Sequence, residues 1–320
     1  MNTFDKLARL AVVLCLCVVV LGAWVRLTDA GLGCPDWPGC YGELLVPDDP
    51  ASAAAWPERP LETGKAWREM IHRYAAGALG ILVLALAVTA WRRRHEPGQP
   101  VVLPIFLLGL IIFQAMLGMW TVTLLLKPLV VMLHLLGGMT TLAILFWLAR
   151  KPVATETPAD AGLQRFALLG LVILGLQIAL GGWVSTNYSA LACPDFPTCQ
   201  GRWWPTMDFA TGFDPWHGIG IDYEGGILDN AARVAIHFTH RVGAVVAAIV
   251  LGLLAWRAWR HPGLAGAAGW LAAVLAAQLV LGVVMVMTQL PLSLATAHNG
   301  VAALLLLAVV NLNKVVRHEN

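Results

Sequence analysis

Eight stretches of the sequence are each long and apolar enough to cross a bilayer as a helix, and no other feature constrains the fold so strongly. They cover residues 7–27, 72–91, 101–123, 130–149, 163–186, 234–256, 264–287 and 296–316, against the ~20 apolar residues that a hydrocarbon core requires. Of the 320 residues, 58% are apolar and only 12% are charged, about half of the ~25% usual in a soluble domain. The pattern predicts an all-α polytopic membrane protein and excludes a soluble enzyme or a disordered chain. A net charge of only +2 gives no broad basic face, which excludes a nucleic-acid binder. The 14 tryptophans suit interfacial belts. The first stretch follows Lys6 and Arg9, but Gly22-Ala23-Trp24-Val25-Arg26 is not a small-x-small cleavage site, so a retained helix is expected.

Eight spans put both termini on one side. That side carries Lys6, Arg9, Arg92, Arg93, Arg94, Arg150, Lys151, Arg165, Arg257, Arg260, Lys314 and Arg317. The positive-inside rule makes it cytoplasmic, with the chain in a cell (inner) membrane. The other side receives two long loops, 28–71 and 187–233, and two short ones, 124–129 and 288–295. The long loops are too polar for lipid and too long to be simple connectors.

The halves repeat each other. Trp24-Val25 recurs as Trp183-Val184. Cys34-Pro35-Asp36-Trp37-Pro38-Gly39-Cys40 recurs as Cys193-Pro194-Asp195-Phe196-Pro197-Thr198-Cys199, 159 residues on. His72-Arg73 recurs as His240-Arg241 at 168, and Gln114-x3-Gly118 and His134 recur as Gln278-x3-Gly282 and His298 at 164. Four spans separate equivalent positions, so the repeats share one orientation. The expected architecture is two pseudo-symmetric four-helix bundles, 1–155 and 156–320.

Polar residues inside a span are costly and usually functional. His72 and His134 open the second and fourth spans, and His240 and His298 open the sixth and eighth, at matched depth. Two histidines on facing helices ligate a haem iron from both sides. Small residues follow each (Ala75, Ala76, Gly77; Gly137, Gly138; Gly243, Ala244; Gly300, Ala302) and leave room for a flat macrocycle. The bland alternative is hydrogen-bonded packing histidines. Zinc would want a third close ligand.

Glu69 lies three residues before His72, on the same helix face. It is read either as an acid that stabilises a cation or moves a proton, or as a helix-start carboxylate favoured by the macrodipole. The equivalent residue in the second half is His237, which suggests that the bundles do different jobs. Arg73 and Arg241 either pair with haem propionates or snorkel to the interface. Four cysteines allow three pairings; Cys34–Cys40 and Cys193–Cys199 are the simplest, as loop staples or as redox pairs. Cys15 and Cys17 are expected in core packing. Asp29, Asp36 and Asp195 suit turn caps. Trp203-Trp204-Pro205 and His217 suit a cover or an interfacial anchor, and His95, His261 and His318 the cytoplasmic surface.

Taken together, these features resemble the haem A synthase family, over nearly the whole chain. The resemblance rests on the eight spans in two repeats, Glu69-Met70-Ile71-His72-Arg73, His134, Thr239-His240-Arg241, His298 and the loop cysteines. It implies oxidation of the C8 methyl of haem O to a formyl group, by two hydroxylations and loss of water, to give haem A for cytochrome oxidase. It further implies a haem b cofactor held by His240 and His298, substrate haem O held by His72 and His134, and Glu69 as the catalytic carboxylate. Cys34 and Cys40 resemble a pair implicated in accepting haem O or in passing reducing equivalents; Cys193 and Cys199 match only some members. Haem O synthase and cytochrome oxidase assembly factors are the implied neighbours, and the electron donor or acceptor is left open. The competing readings are a di-haem electron-transfer cytochrome, a haem transporter or assembly chaperone, and a membrane thiol–disulfide carrier.

Overall fold

The computed structural model describes residues 2–150 and 160–317, which are helical apart from loops and two isolated bridges. In chain order the helices are α1 (Thr3–Leu27), α2 (Thr63–Arg92), α3 (Val102–Thr123), α4 (Pro128–Ala149), α5 (Ala161–Thr186), the single turn α6 (Phe209–Gly212), α7 (Asn230–Trp259), α8 (Ala265–Met287) and α9 (Leu292–Val316). A 3-10 turn (Pro50–Ala55) lies in the first long loop. All but α6 are long and apolar enough to cross a membrane, so the protein is a multi-pass membrane protein. Helices are the natural answer there, because lipid offers a backbone no hydrogen bonds. Side chains of Asn2, Asp160 and Asp229 cap α1, α5 and α7 by accepting from Asp5, Leu163 and Ala232 N–H.

Several helices begin before their apolar runs. α2 starts at Thr63, nine residues ahead of the expected 72, and α7, α9 and α4 start at 230, 292 and 128 in place of 234, 296 and 130. Apolar counting marks where a helix enters lipid, not where its hydrogen bonding starts; Lys65, Arg68 and Glu69 are good helix formers that continue α2 beyond the apolar run. The correction matters. His72 does not open its helix but sits ten residues in, and Glu69, seven residues in, is no helix-start carboxylate. Cys15 is buried in α1, but Cys17 is exposed, contrary to expectation; two positions on, a helix faces elsewhere. Lys151 and His318 lie outside the described residues.

The chain forms two compact units, Met1–Leu145 with Pro215–Gly226, and Phe146–Asp214 with Ile227–Asn320. In the first, α1 packs on α2 and α2 on α3. Gln114 of α3 sits over Gly137 of α4, and Gly138 faces Val19 of α1, which closes the ring. In the second, contacts run α5–α7–α8–α9 and back to α5. A stretch of the second long loop belongs to the first unit: Tyr223 is buried against Leu32, Val122 and Leu126. Its N–H donates to Leu125 O (3.1 Å), and Arg59 pairs with Asp222 (2.5 Å) and Glu224 (2.7 Å).

The duplication is written in the backbone too. Asp29 and Tyr188, Tyr41 and Gln200, Leu125 and Gln289, and Leu126 and Leu290 all take left-handed conformations, with φ between 47° and 62°. Such φ values are uncommon outside glycine, and the four pairs keep the 159- and 164-residue offsets of the sequence repeat.

Candidate functional site

Each of the four histidines rests against a glycine of a neighbouring helix. A Cβ on Gly22 of α1 would stand 2.9 Å from His72 Cε1, and one on Gly118 of α3 would stand 3.4 Å from His134 Cε1. In the second unit, a Cβ on Gly181 of α5 or Gly282 of α8 would stand 3.2 Å from Cε1 of His240 or His298. A side chain at Gly22 would force the imidazole to shift, and one at Gly181 or Gly282 would press on it. The room-making glycines are thus mostly across the helix interface. Gly77 faces open space, and Gly137 and Gly243 accommodate glutamine amides. That differs from the expectation that residues following each histidine make the room, because a helical side chain leans toward the preceding turn.

His72 and His134 face each other with ring centroids 6.5 Å apart and planes at 85°. The rings do not touch, yet both can reach one metal centre between them, since a metal–imidazole bond is about 2.0–2.1 Å. The Nδ1 atoms of His72, His134 and His298 are buried without a hydrogen-bond partner. Buried polar atoms are rarely left so, and the donor set fits bis-imidazole haem iron. Among the described residues, no three His, Cys, Asp or Glu gather as a metal site.

The two histidine pairs differ in their surroundings. The Gln177 amide nitrogen lies 3.0 Å from both His240 Nδ1 and His240 O. The Gln278 amide nitrogen lies 3.2 Å from His298 Nε2. In the first unit, the position of Gln177 is Val18, and Gln114 leaves its amide nitrogen unpartnered. Sequence reading found Gln114 and Gln278 as a repeat without a role, and missed Gln177, Gly22 and Gly181. The glycines were within reach, two residues before the repeated Trp24 and Trp183.

The disulfide loops sit directly on these helices. Cys34–Cys40 and Cys193–Cys199 are bonded, the short-range pairing. Each loop closes with a bridge, Cys40 to Glu43 and Cys199 to Arg202. Asp36 accepts from the N–H groups of Tyr41 (2.7 Å) and Gly42 (2.8 Å); Asp195 accepts from Gln200 (2.6 Å) and Gly201 (3.0 Å). The Thr198 hydroxyl and then these amides hold the Asp195 carboxyl down at about 2. Both aspartates cap turns as expected.

Buried Glu69 accepts from Cys34 N–H at Oε2 (2.9 Å) and from Arg73 Nη2 at Oε1 (2.6 Å). Arg73 Nη1 donates to the carbonyls of Asp36 (2.9 Å) and Gly39 (2.5 Å). The second unit repeats this. Arg241 donates to Thr198 O (2.8 Å) and Cys193 O (2.6 Å), and Cys193 N–H donates to His237 Nδ1 (3.3 Å). The arginines clamp the disulfide loops, a role the sequence reading did not give them. The structure therefore brings together Glu69, Arg73 and the first cysteine pair, and His237, Arg241 and the second.

These paired sites can be set beside known proteins. The family model described as cytochrome oxidase assembly protein matches residues 5–310. A haem A synthase of Shewanella oneidensis is 45% identical over 98% of this chain and 97% of its own length. The chain belongs to the haem A synthase family. More distant haem A synthases include one from Halalkalibacterium halodurans, 30% identical over 68% of this chain and 70% of its own, and one from Rhizorhabdus wittichii, 28% identical over 97% and 92%. The family read from the spans, histidines and cysteine loops is thus the right one.

Proposed function

We propose that this protein is a haem A synthase, oxidising the C8 methyl of haem O to a formyl group. Two hydroxylations take the methyl to the hydroxymethyl and then the gem-diol, which loses water. The observation that carries the site reading is the set of four half-buried histidines, each seated on a glycine of a neighbouring helix. His72 and His134 hold substrate haem O, and His240 and His298 hold a haem b cofactor. The amides packed against His240 and His298 support this division: they fill the space around those rings and hold them in place, which suits a permanent group. The barer pair in the first unit suits a group that must enter and leave.

Haem b supplies the one-electron chemistry that amino-acid side chains lack. The chain's own residues bind, orient and polarise. Glu69 sets a carboxylate one helical turn from His72, where it stabilises positive charge developing at the methyl carbon. Arg73 and the Cys34–Cys40 loop fix that carboxylate through both oxygens. His237 in the equivalent place leaves the second unit without the acid. Arg73 and Arg241 act as braces, already committed to loop carbonyls, and the cysteine pairs as staples of those loops.

The basic residues at the non-loop end of the helices support an inner-membrane topology with cytoplasmic termini and periplasmic long loops. Haem O synthase is a fitting neighbour, since haem O is scarce and insoluble, as are cytochrome oxidase assembly factors downstream; a redox partner must serve the oxidation. Extraction of bound haems from protein expressed with a haem O source tests the reading. Haem b together with haem A or hydroxylated haem O is expected. Two haem b per chain despite available haem O would make the protein a di-haem cytochrome instead.

A further inference from the structure

Both disulfide hairpins end on two adjacent large apolar residues that stay largely exposed among the described residues. After the Cys40–Glu43 bridge come Leu44 and Leu45, 80% and 62% exposed; after the Cys199–Arg202 bridge come Trp203 and Trp204, each 73% exposed. The pairs hold the 159-residue offset of the repeat. Side chains differ between copies, but large apolar character at the tip does not. Single exposed apolar residues are ordinary; a duplicated, adjacent pair on a polar loop asks for a partner.

The contacts of each tip say which partner. Tyr74 Oη donates to Leu44 O (2.6 Å), and Tyr74 is the first residue of the uncharged run of α2 between Arg73 and Arg92. Trp204 meets Phe238 of α7 edge-on, ring centroids 5.4 Å apart. Phe238 lies one helical turn before Val242, where the uncharged run of α7 begins. Each hairpin therefore folds back beside its helix to the level where that helix enters lipid. From there the same helix presents exposed apolar residues: Tyr74 and Ile81 on α2, Val242 and Val245 on α7. Tryptophan favours that depth.

We propose that the two hairpin tips, Leu44-Leu45 and Trp203-Trp204, are anchors inserted into the acyl–headgroup boundary of the same leaflet, with phospholipid as their partner. The anchor ties each disulfide loop, and through Arg73 or Arg241 the helix face behind it, to the membrane surface. The inference does not depend on the haem assignment and stands or falls separately from it.

Tryptophan emission of the haem-loaded protein in nanodiscs of brominated phosphatidylcholine tests it. The difference between the parent and a Trp203→Phe/Trp204→Phe variant isolates the second tip. Leu45→Trp in that double variant reports the first. Expected for both tips is blue-shifted difference emission, quenched more by bromine near the headgroup than near the chain ends, and shielded from aqueous iodide. Red-shifted emission quenched by iodide and not by bromolipid would overturn the proposal. So would emission quenched by neither, which would mean protein covers the tips, or lipid quenching at one tip alone, which would break the duplicated anchor. Intact-mass measurement confirms that both disulfides survive each substitution.

Discussion

At the residue scale, the account turns on which side chain each unit sets against the first cysteine of its loop. Glu69 accepts from Cys34 N–H, and His237 accepts from Cys193 N–H; one is a carboxylate three residues before His72, the other an imidazole three residues before His240. Replacing Glu69 with Ala is expected to abolish haem A formation while the haem b spectrum persists. Normal haem A production in that variant, assayed by chromatography of extracted haems, would remove the catalytic assignment. Asp195 gives a pH prediction. Its carboxyl is lowered from 3.8 to about 2, first by the Thr198 hydroxyl and also by loop amides. The hairpin's contribution from this group is therefore complete above about pH 4 and is lost as pH falls through 2. Amide exchange at Gln200 and Gly201, corrected for intrinsic rates, should accelerate over that window, and Asp195→Asn should lose the dependence. The histidines and the aspartate caps were legible in the sequence because they are polar groups that recur at fixed offsets, and Glu69 because its counterpart, His237, breaks the repeat. Gln177 was not. Its counterpart is Val18, so the repeat hides it, and only the fold shows that it lies against His240.

Helices are the scale at which small residues become informative. The sequence displays many glycines, and the structure sorts them. A Cβ on Gly181 would meet the His240 ring at 3.2 Å, whereas Gly80 and Gly175 face open space. Gly181→Ala is expected to lower haem b retained per chain after purification, and Gly175→Ala, on the same helix, to leave it unchanged. Equal retention in the two variants would mean the glycine is incidental. Gly33 presses the first loop onto the backbone of α2, where a Cβ would come within 2.6 Å of Lys65 C. Backbone cannot move as a side chain can, so Gly33→Ala should destabilise by about 1–3 kcal/mol, the usual cost of overpacking. Thermal unfolding in detergent reads this directly. The spans themselves were legible because lipid imposes one length and one composition. The helix starts were not, since α2 continues through charged residues outside the apolar run.

For the molecule as a whole, duplication is the organising fact, and the proposed function rests on the departures from it. Two units share helices, loop staples, left-handed turns and histidine seats. They differ at Glu69 against His237 and at Val18 against Gln177, the positions that touch the candidate site. The sequence repeat predicted two bundles, but it did not reveal that 215–226 folds with the first unit; hydropathy says nothing about where a polar loop docks. The central claim is that the units hold different haems for different purposes. Haem b content and haem A production, measured together in His72→Ala/His134→Ala and His240→Ala/His298→Ala variants, test it most directly. The first variant should keep haem b and make no haem A; the second should purify without haem b. Loss of haem b from the first variant with retention in the second would contradict the division of labour, and haem b retained in both would remove the histidines from the site.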